Sequence, residues 1–301
     1  MKKLSTLTLG LLFAAGSAFA QSNDATVDQS GDYNTSTVDQ SGNGNETLIN
    51  QVVDAGVSDP VKFNEATVEQ TGSENFADID QRNRGQHSSR GLFNDADLIQ
   101  DGTLNYAIID QAGIGRGNDV KLSQLGIENR AEVSQRQGGR LSGYGSESRA
   151  VQSGERNELY LTMGNFNDAG ITQDGNDNYA DISQLSFSND YVELKQTGDE
   201  NEVLLNQSGG TADVQQIGVG GNILNGLAGI GSYASQSGGA SMTIVQNGLS
   251  NELFVGQNGA STVTVTQSGD MNTGSVDQSG AHSGTLTQTG SLNSGSITQS
   301  N

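Results

Sequence analysis

The sequence has no cysteine, no tryptophan, a single proline and only 5% aromatic residues. Without cysteine there is no disulfide framework, no thiol nucleophile and no thiolate metal site. With 32% hydrophobic residues across 301 positions, the chain is poor in material for an ordinary globular core. One proline excludes a Pro-rich stalk or linker. Cations are scarce as well: 14 Lys and Arg stand against 35 Asp and Glu, a formal net charge of −21. That balance disfavours nucleic acid or an anionic membrane as partner. Together with 42 glycines it would suit a disordered chain. Disorder needs no periodicity, however, and this chain is strictly periodic.

Long apolar runs are also missing, except at the start. MKKLSTLTLGLLFAAGSAFA has two lysines, an apolar run too short to span a bilayer, and a small-residue cleavage site at Ala18-Phe19-Ala20. Residues 1–20 are therefore expected to be a signal peptide. Residues 21–301 are expected to be a secreted repeat unit with no membrane insertion.

What is present is a repeat. Glutamines 11 apart occur at 29/40/51, 70/81, 100/111, 124/135, 173/184, 196/207, 246/257, 267/278 and 288/299, most with Asn six residues earlier. The unit is N-x-A-x-Ψ-x-Q-x-G, where Ψ is aliphatic. Clean copies are NDATVDQSG (23–31), NEATVEQTG (64–72) and NYAIIDQAG (105–113). A further copy opens at Asn129 with its glutamine at 135 and carries Gln137 in place of the glycine. Asn, Ala, Ψ and Gln fall on alternate positions, which in a strand is one face. The opposite face is charged and variable. The four residues x-G-x-x between Gln and the next Asn make a tight reversal in which glycine can supply positive φ.

Such strands can form an antiparallel meander or a coil. The fixed amides favour the coil. Stacking equivalent residues puts each Gln about 4.7–4.8 Å from the next, so its amide donates to one neighbour and accepts from the other. A lone buried amide is costly, whereas a ladder satisfies itself. The expected fold is therefore all-β, a parallel β-solenoid with two strands per rung. It has about eleven rungs plus a lone first strand at 23–29, and is irregular near 208–240. Successive 11-residue steps alternate with variable ones (51→70 is 19, 111→124 is 13), so one edge has a standard turn and the other accepts insertions.

The expected amide ladder comprises Asn75, Gln81, Asn105, Gln111, Asn129, Gln135, Asn178, Gln184, Asn201, Gln207, Asn251, Gln257, Asn272, Gln278, Asn293 and Gln299. The expected core is Ala77, Ile79, Ala107, Ile109, Ala131, Val133, Ala180 and Ile182. Asp28, Asp39, Asp78, Asp80, Asp110, Asp181 and Asp277 lie on the outward face, where stacked like charges should slow premature association. The insertions at 82–95 and 136–148 bring Arg82, Arg84, Arg90, Arg136 and Arg140 to the variable edge as a candidate basic patch for an acidic matrix polysaccharide, extracellular DNA or a neighbouring fibre's carboxylates. Chemistry is otherwise thin. His87 and His282 are the only histidines and lie in different repeats. No enzyme, cofactor or metal is expected.

QTGSENFADIDQ (70–81), QDGTLNYAIIDQ (100–111) and QDGNDNYADISQ (173–184) each carry the Q-x-G-x-x-N-x-A-x3-Q portion of the curlin repeat in full. The mature chain thus resembles the subunits of curli, the extracellular amyloid fibres of Gram-negative bacteria. It carries about twice as many repeats as the best-known subunits and has no Gly-rich leader after Ala20. The resemblance implies a secreted structural subunit that polymerises with itself into cell-surface fibres for biofilm, adhesion and cell aggregation. It also implies a nucleator or other subunits and an outer-membrane secretion pore as partners. The alternative is a monomeric β-solenoid adhesin. An ice-binding solenoid fits less well, because the threonine row of STVTVTQSG (261–269) is confined to one strand.

Overall fold

The computed structural model describes residues 22–31, 33–53, 62–83, 92–113, 117–136, 145–185, 189–226 and 233–300. The signal segment and Arg84, Arg90 and Arg140 lie outside them. Within them are 22 strands, every pairing parallel. They form a two-column β-solenoid.

The first column runs through Asp24–Ser30, Glu46–Val53, Phe76–Asn83, Tyr106–Gly113, Arg130–Arg136, Glu158–Met163 and Tyr179–Gln184. It continues through the first half of Glu202–Ile217, a level shared by Ile223–Asn225 and the start of Ala234–Asn247, then Glu252–Asn258, Thr273–Ser279 and Ser294–Ser300. The second column holds Asn34–Asn43, Lys62–Ser73, Leu92–Thr103, Asn118–Ile127, Glu147–Glu155, Asp168–Asn176, Tyr191–Thr197, the rest of the two long strands, Thr262–Ser268 and Ser283–Thr289. The irregularity expected near 208–240 takes two forms: a register shift between Ser208 and Gly210, and the split level at 223–237. Gln236 then re-enters in register between Gln207 and Gln257.

The pleat explains the burial. Phe76–Asn83 alternates half-buried and buried along its whole length, with Ala77 and Ile79 fully inside. Ala107, Ile109, Ala131, Val133, Ala180 and Ile182 are also inside, stacked in register on their equivalents. Each strand contributes only about two apolar side chains to the seam between the sheets, so the core is thin and continuous. It loosens at both ends: Val27, Val38, Leu286 and Ile297 are only partly buried.

The turn from the second column to the first is the fixed one. Its glycines have positive φ, and the fit between rungs is close. A Cβ on Gly126 (φ 122°) would lie 2.0 Å from the carbonyl oxygen of Gly154 in the next rung. Only glycine allows backbones this near.

Candidate functional site

The fixed edge carries two unbroken amide ladders. In the second column, Nε2 of each glutamine donates to Oε1 of the next, from Gln40 through Gln70, Gln100, Gln124, Gln152, Gln173, Gln196, Gln216, Gln246 and Gln267 to Gln288. The distances are 2.7–3.0 Å. In the first column, Nδ2 of each asparagine donates backwards to Oδ1 of the preceding one. This ladder runs from Asn293 through Asn272, Asn251, Asn222, Asn201, Asn178, Asn157, Asn129, Asn105 and Asn75 to Asn45, at 2.8–3.1 Å. The two ladders therefore point in opposite directions along the axis. They are also tied together, since Gln124 Nε2 donates to the carbonyl of Asn129 at 3.1 Å, and Gln173 and Gln246 do the same with Asn178 and Asn251. These amides are essentially buried through the interior, yet each has partners for its donors and its acceptor.

The glutamine row of the first column lies on the variable edge and is interrupted. Gln81 bonds to Gln111 at 2.8 Å and Gln111 to Gln135 at 3.1 Å. Gln135 then meets the sulfur of Met163 at 3.8 Å, a weak acceptor. A thioether has no proton to pass on, and Oε1 of Gln184 is left buried with no partner. Gln184 resumes the row to Gln207 at 3.0 Å, but Gln207 turns its amide to the carbonyl of Gly210. Oε1 of Gln236 and of Gln257 are unpartnered below that break. Gln257, Gln278 and Gln299 then complete the row. The asparagine row of this edge is shorter still. Asn64, Asn94 and Asn118 link to Asn34 at 2.9–3.1 Å, and Ser146 takes the next position.

Asn75, Asn105, Asn129, Asn178, Asn201, Asn251, Asn272 and Asn293 thus share one ladder, while the eight glutamines expected beside them sit at the opposite ends of the same strands. Asn157 and Asn222 belong to the ladder too, although neither has a glutamine six residues later. Met163 occupies that place for Asn157. A usable signal was present on the other side, because Asn157 follows Gln152 by five residues, as Asn129 follows Gln124.

On the outward face, Arg82 pairs with Asp80, and Arg136 reaches across a rung to Asp110 at 2.9 Å. These two members of the expected patch are thus paired with acids of the outward face. Phe76 and Tyr106 stack at 4.9 Å, Arg130 covers Tyr106 at 4.7 Å, and Tyr160 packs on Tyr179 at 5.8 Å. Burial, reinforced by Asp80, raises the carboxyl of Asp78 above its ordinary range. Burial, then Asp119, Glu65 and Asp97, raises Asp95 despite Lys121 nearby. The hydrogen bond from Arg156 holds Asp177 below the usual carboxylate range. Among the described residues, no group of three His, Asp or Glu is placed to hold a metal ion. No helix among them is long and apolar enough to cross a membrane.

One family pattern matches the chain, the curlin associated repeat, over residues 20–52, 94–126 and 163–185. Three segments of the chain are thus similar to the curlin associated repeat. The matched segments cover fixed-edge positions: Asn45 in the first, the Gln100 and Gln124 levels in the second, and Gln173 and Asn178 in the third. The same asparagine ladder continues through levels the pattern does not match, down to Asn293. No curated protein matches the chain.

Proposed function

We propose that the chain is a secreted structural subunit that polymerises end to end into curli-like amyloid fibres on the surface of a Gram-negative cell. There it serves biofilm matrix, adhesion and cell aggregation. The observation that carries this reading is the polarity of the ladders. At one end the glutamine rows finish in acceptors, Oε1 of Gln29 and Gln40. At the other they finish in donors, Nε2 of Gln288 and Gln299, while Oδ1 of Asn293 waits to accept. A second copy fits head to tail, whereas two like ends would oppose the glutamine rows acceptor to acceptor or donor to donor. Among the described residues nothing covers either end strand, and neither has a buried residue: Asp24–Ser30 is exposed over its first three residues and alternates after them, and Ser294–Ser300 alternates between exposed and half-buried. Open parallel edges of this kind template strand addition. Export through an outer-membrane pore and help from a nucleator subunit belong to the same proposal.

Purified chain lacking residues 1–20, incubated and followed by amyloid-dye binding, tests it. Growth without a lag after adding preformed fibre ends is expected. A chain that stays monomeric and cannot be seeded would refute the reading. The monomeric adhesin remains the second reading, favoured by the outward cluster of Phe76, Tyr106, Arg130, Tyr160 and Tyr179. It predicts binding to a surface by dye-negative monomer.

A further inference from the structure

We propose that successive copies join with a half-turn about the long axis. Asp24–Ser30 of the incoming copy then pairs with Ser283–Thr289, and its Asn34–Asn43 pairs with Ser294–Ser300. This rests on the end-to-end growth proposed above and adds the geometry of the joint.

The first reason is parity. The described strands begin and end in the same column. The first column has twelve levels, marked by residues 29, 51, 81, 111, 135, 163, 184, 207, 236, 257, 278 and 299. The second has eleven, marked by 40, 70, 100, 124, 152, 173, 196, 216, 246, 267 and 288. Joined without rotation, Asp24–Ser30 would sit on Ser294–Ser300, and the second column would miss one strand at every joint. The gap there would be about 9.5 Å, twice the normal spacing, with backbone groups on both sides unpaired. A half-turn continues both columns.

The second reason is the first turn. Residues 29–34 read QSGDYN, with positive φ at Gly31 (93°) and Tyr33 (65°). The last fixed-edge turn, 288–293, reads QTGSLN, with positive φ at Gly290 (99°) and Leu292 (60°). The two turns have equal length and the same conformational signature. The last turn on the variable edge, after Gln278, is one residue shorter, since 278→288 is 10 where 29→40 is 11. Among its residues only Gly280 has positive φ (114°). A half-turn lays the first turn on its match at the fixed edge. Without rotation it would lie on the shorter turn.

The side chains agree. Val27 falls on Leu286, Val38 on Ile297, Gln29 on Gln288, Gln40 on Gln299 and Asn34 on Asn293. The outward Asp24, Asp28 and Asp39 meet Ser283, Thr287 and Thr298, so no carboxylates are stacked at the joint. Gly290 also lacks the neighbour its equivalents have: a Cβ there meets nothing nearer than Asn293 Nδ2 at 3.7 Å. In the joint it faces Gly31 of the next copy.

The chain has no cysteine, so paired substitutions read the joint directly. Thr26, Thr285 and Ser296 are all exposed, and Thr26 lies at the opposite end of the stack from the other two, which rules out a bond within one molecule. Fibres of T26C/T285C, oxidised and run without reductant, should give a ladder of covalent oligomers, and those of T26C/S296C should stay monomeric. Linkage in T26C/S296C, or in neither variant once fibres have formed, overturns the half-turn while leaving fibre growth standing. A wild-type chain that forms no fibres overturns both. Should a double variant fail to assemble, averaged images of wild-type fibres decide. The half-turn predicts an axial repeat of two molecules, about 110 Å at about 4.8 Å per rung, and a one-molecule repeat of about 55 Å contradicts it.

Discussion

At the scale of a residue, the chain uses an amide where a globular core would use leucine, and the ladder makes that tolerable. An amide hydrogen bond contributes about 0.5–1.5 kcal/mol net, while a buried orphan costs about 1–3 kcal/mol. Met163 is therefore a natural defect. Met163→Gln should restore the run from Gln135 to Gln184 and raise the denaturation midpoint by about 1 kcal/mol of stability. The converse change, Gln124→Met in the unbroken ladder, removes the acceptor of Gln100 and the donor to Gln152. It should lower stability by about 2–4 kcal/mol as two orphans form. Guanidinium unfolding of freshly prepared monomer compares the two, and equal effects would argue against the ladder. The phase of these amides was legible in the sequence, because Asn75, Ala77, Ile79 and Gln81 alternate. The direction in which each amide donates was not. It depends on the turn carbonyls and on Asn129 and its equivalents, which accept from the glutamine five residues earlier.

At the scale of an element, the two edges behave differently for one reason. The fixed turn packs glycine on glycine with no room to spare, so ladder spacing is imposed. The variable edge absorbs insertions without losing its glutamine row from Gln51 to Gln135, and the row breaks instead at Met163, which has no amide, and at Gly210, whose carbonyl takes the amide of Gln207. Gly126→Ala places a Cβ against Gly154 as well as in a positive-φ conformation, whereas Gly239→Ala, at φ 79°, meets nothing within 4 Å. Gly126→Ala should cost several-fold more stability than Gly239→Ala, where only the conformational penalty of about 1 kcal/mol applies. Thermal melts of both variants check this ordering. The alternation of 11-residue and variable steps revealed both edges in advance. The split level at Ile223–Asn225 and Ala234–Asn247 was not legible, since no Asn–Gln pair spans it and its pairing is set by neighbouring rungs.

At the scale of the whole molecule, a net charge of −21 is distributed over an outward face where Glu65, Asp95, Asp119, Glu147 and Asp168 stack in one register. Asp78 and Asp95 have carboxyls raised above the unfolded value of about 4. The folded state therefore binds protons more readily, and the burden of their charge is relieved as pH falls through the raised values. Asp177 acts oppositely: its contribution is present above the unfolded value and is lost as pH falls through its depressed one. Fibre growth should accelerate between neutral pH and about pH 4, and in added calcium or sodium chloride at neutral pH. Dye-binding kinetics that ignore both would remove the outward acids from the account.

The central claim is that amide-linked rungs continue from one molecule into the next. Imaging the assembled chain lacking residues 1–20 by cryo-electron microscopy, at a resolution that separates strands, tests it most directly. The account predicts parallel strands about 4.8 Å apart through every molecular boundary, with the side chain of Gln299 meeting a glutamine of the next copy. Boundaries where the ladders end against solvent, or where strands turn antiparallel, would contradict it.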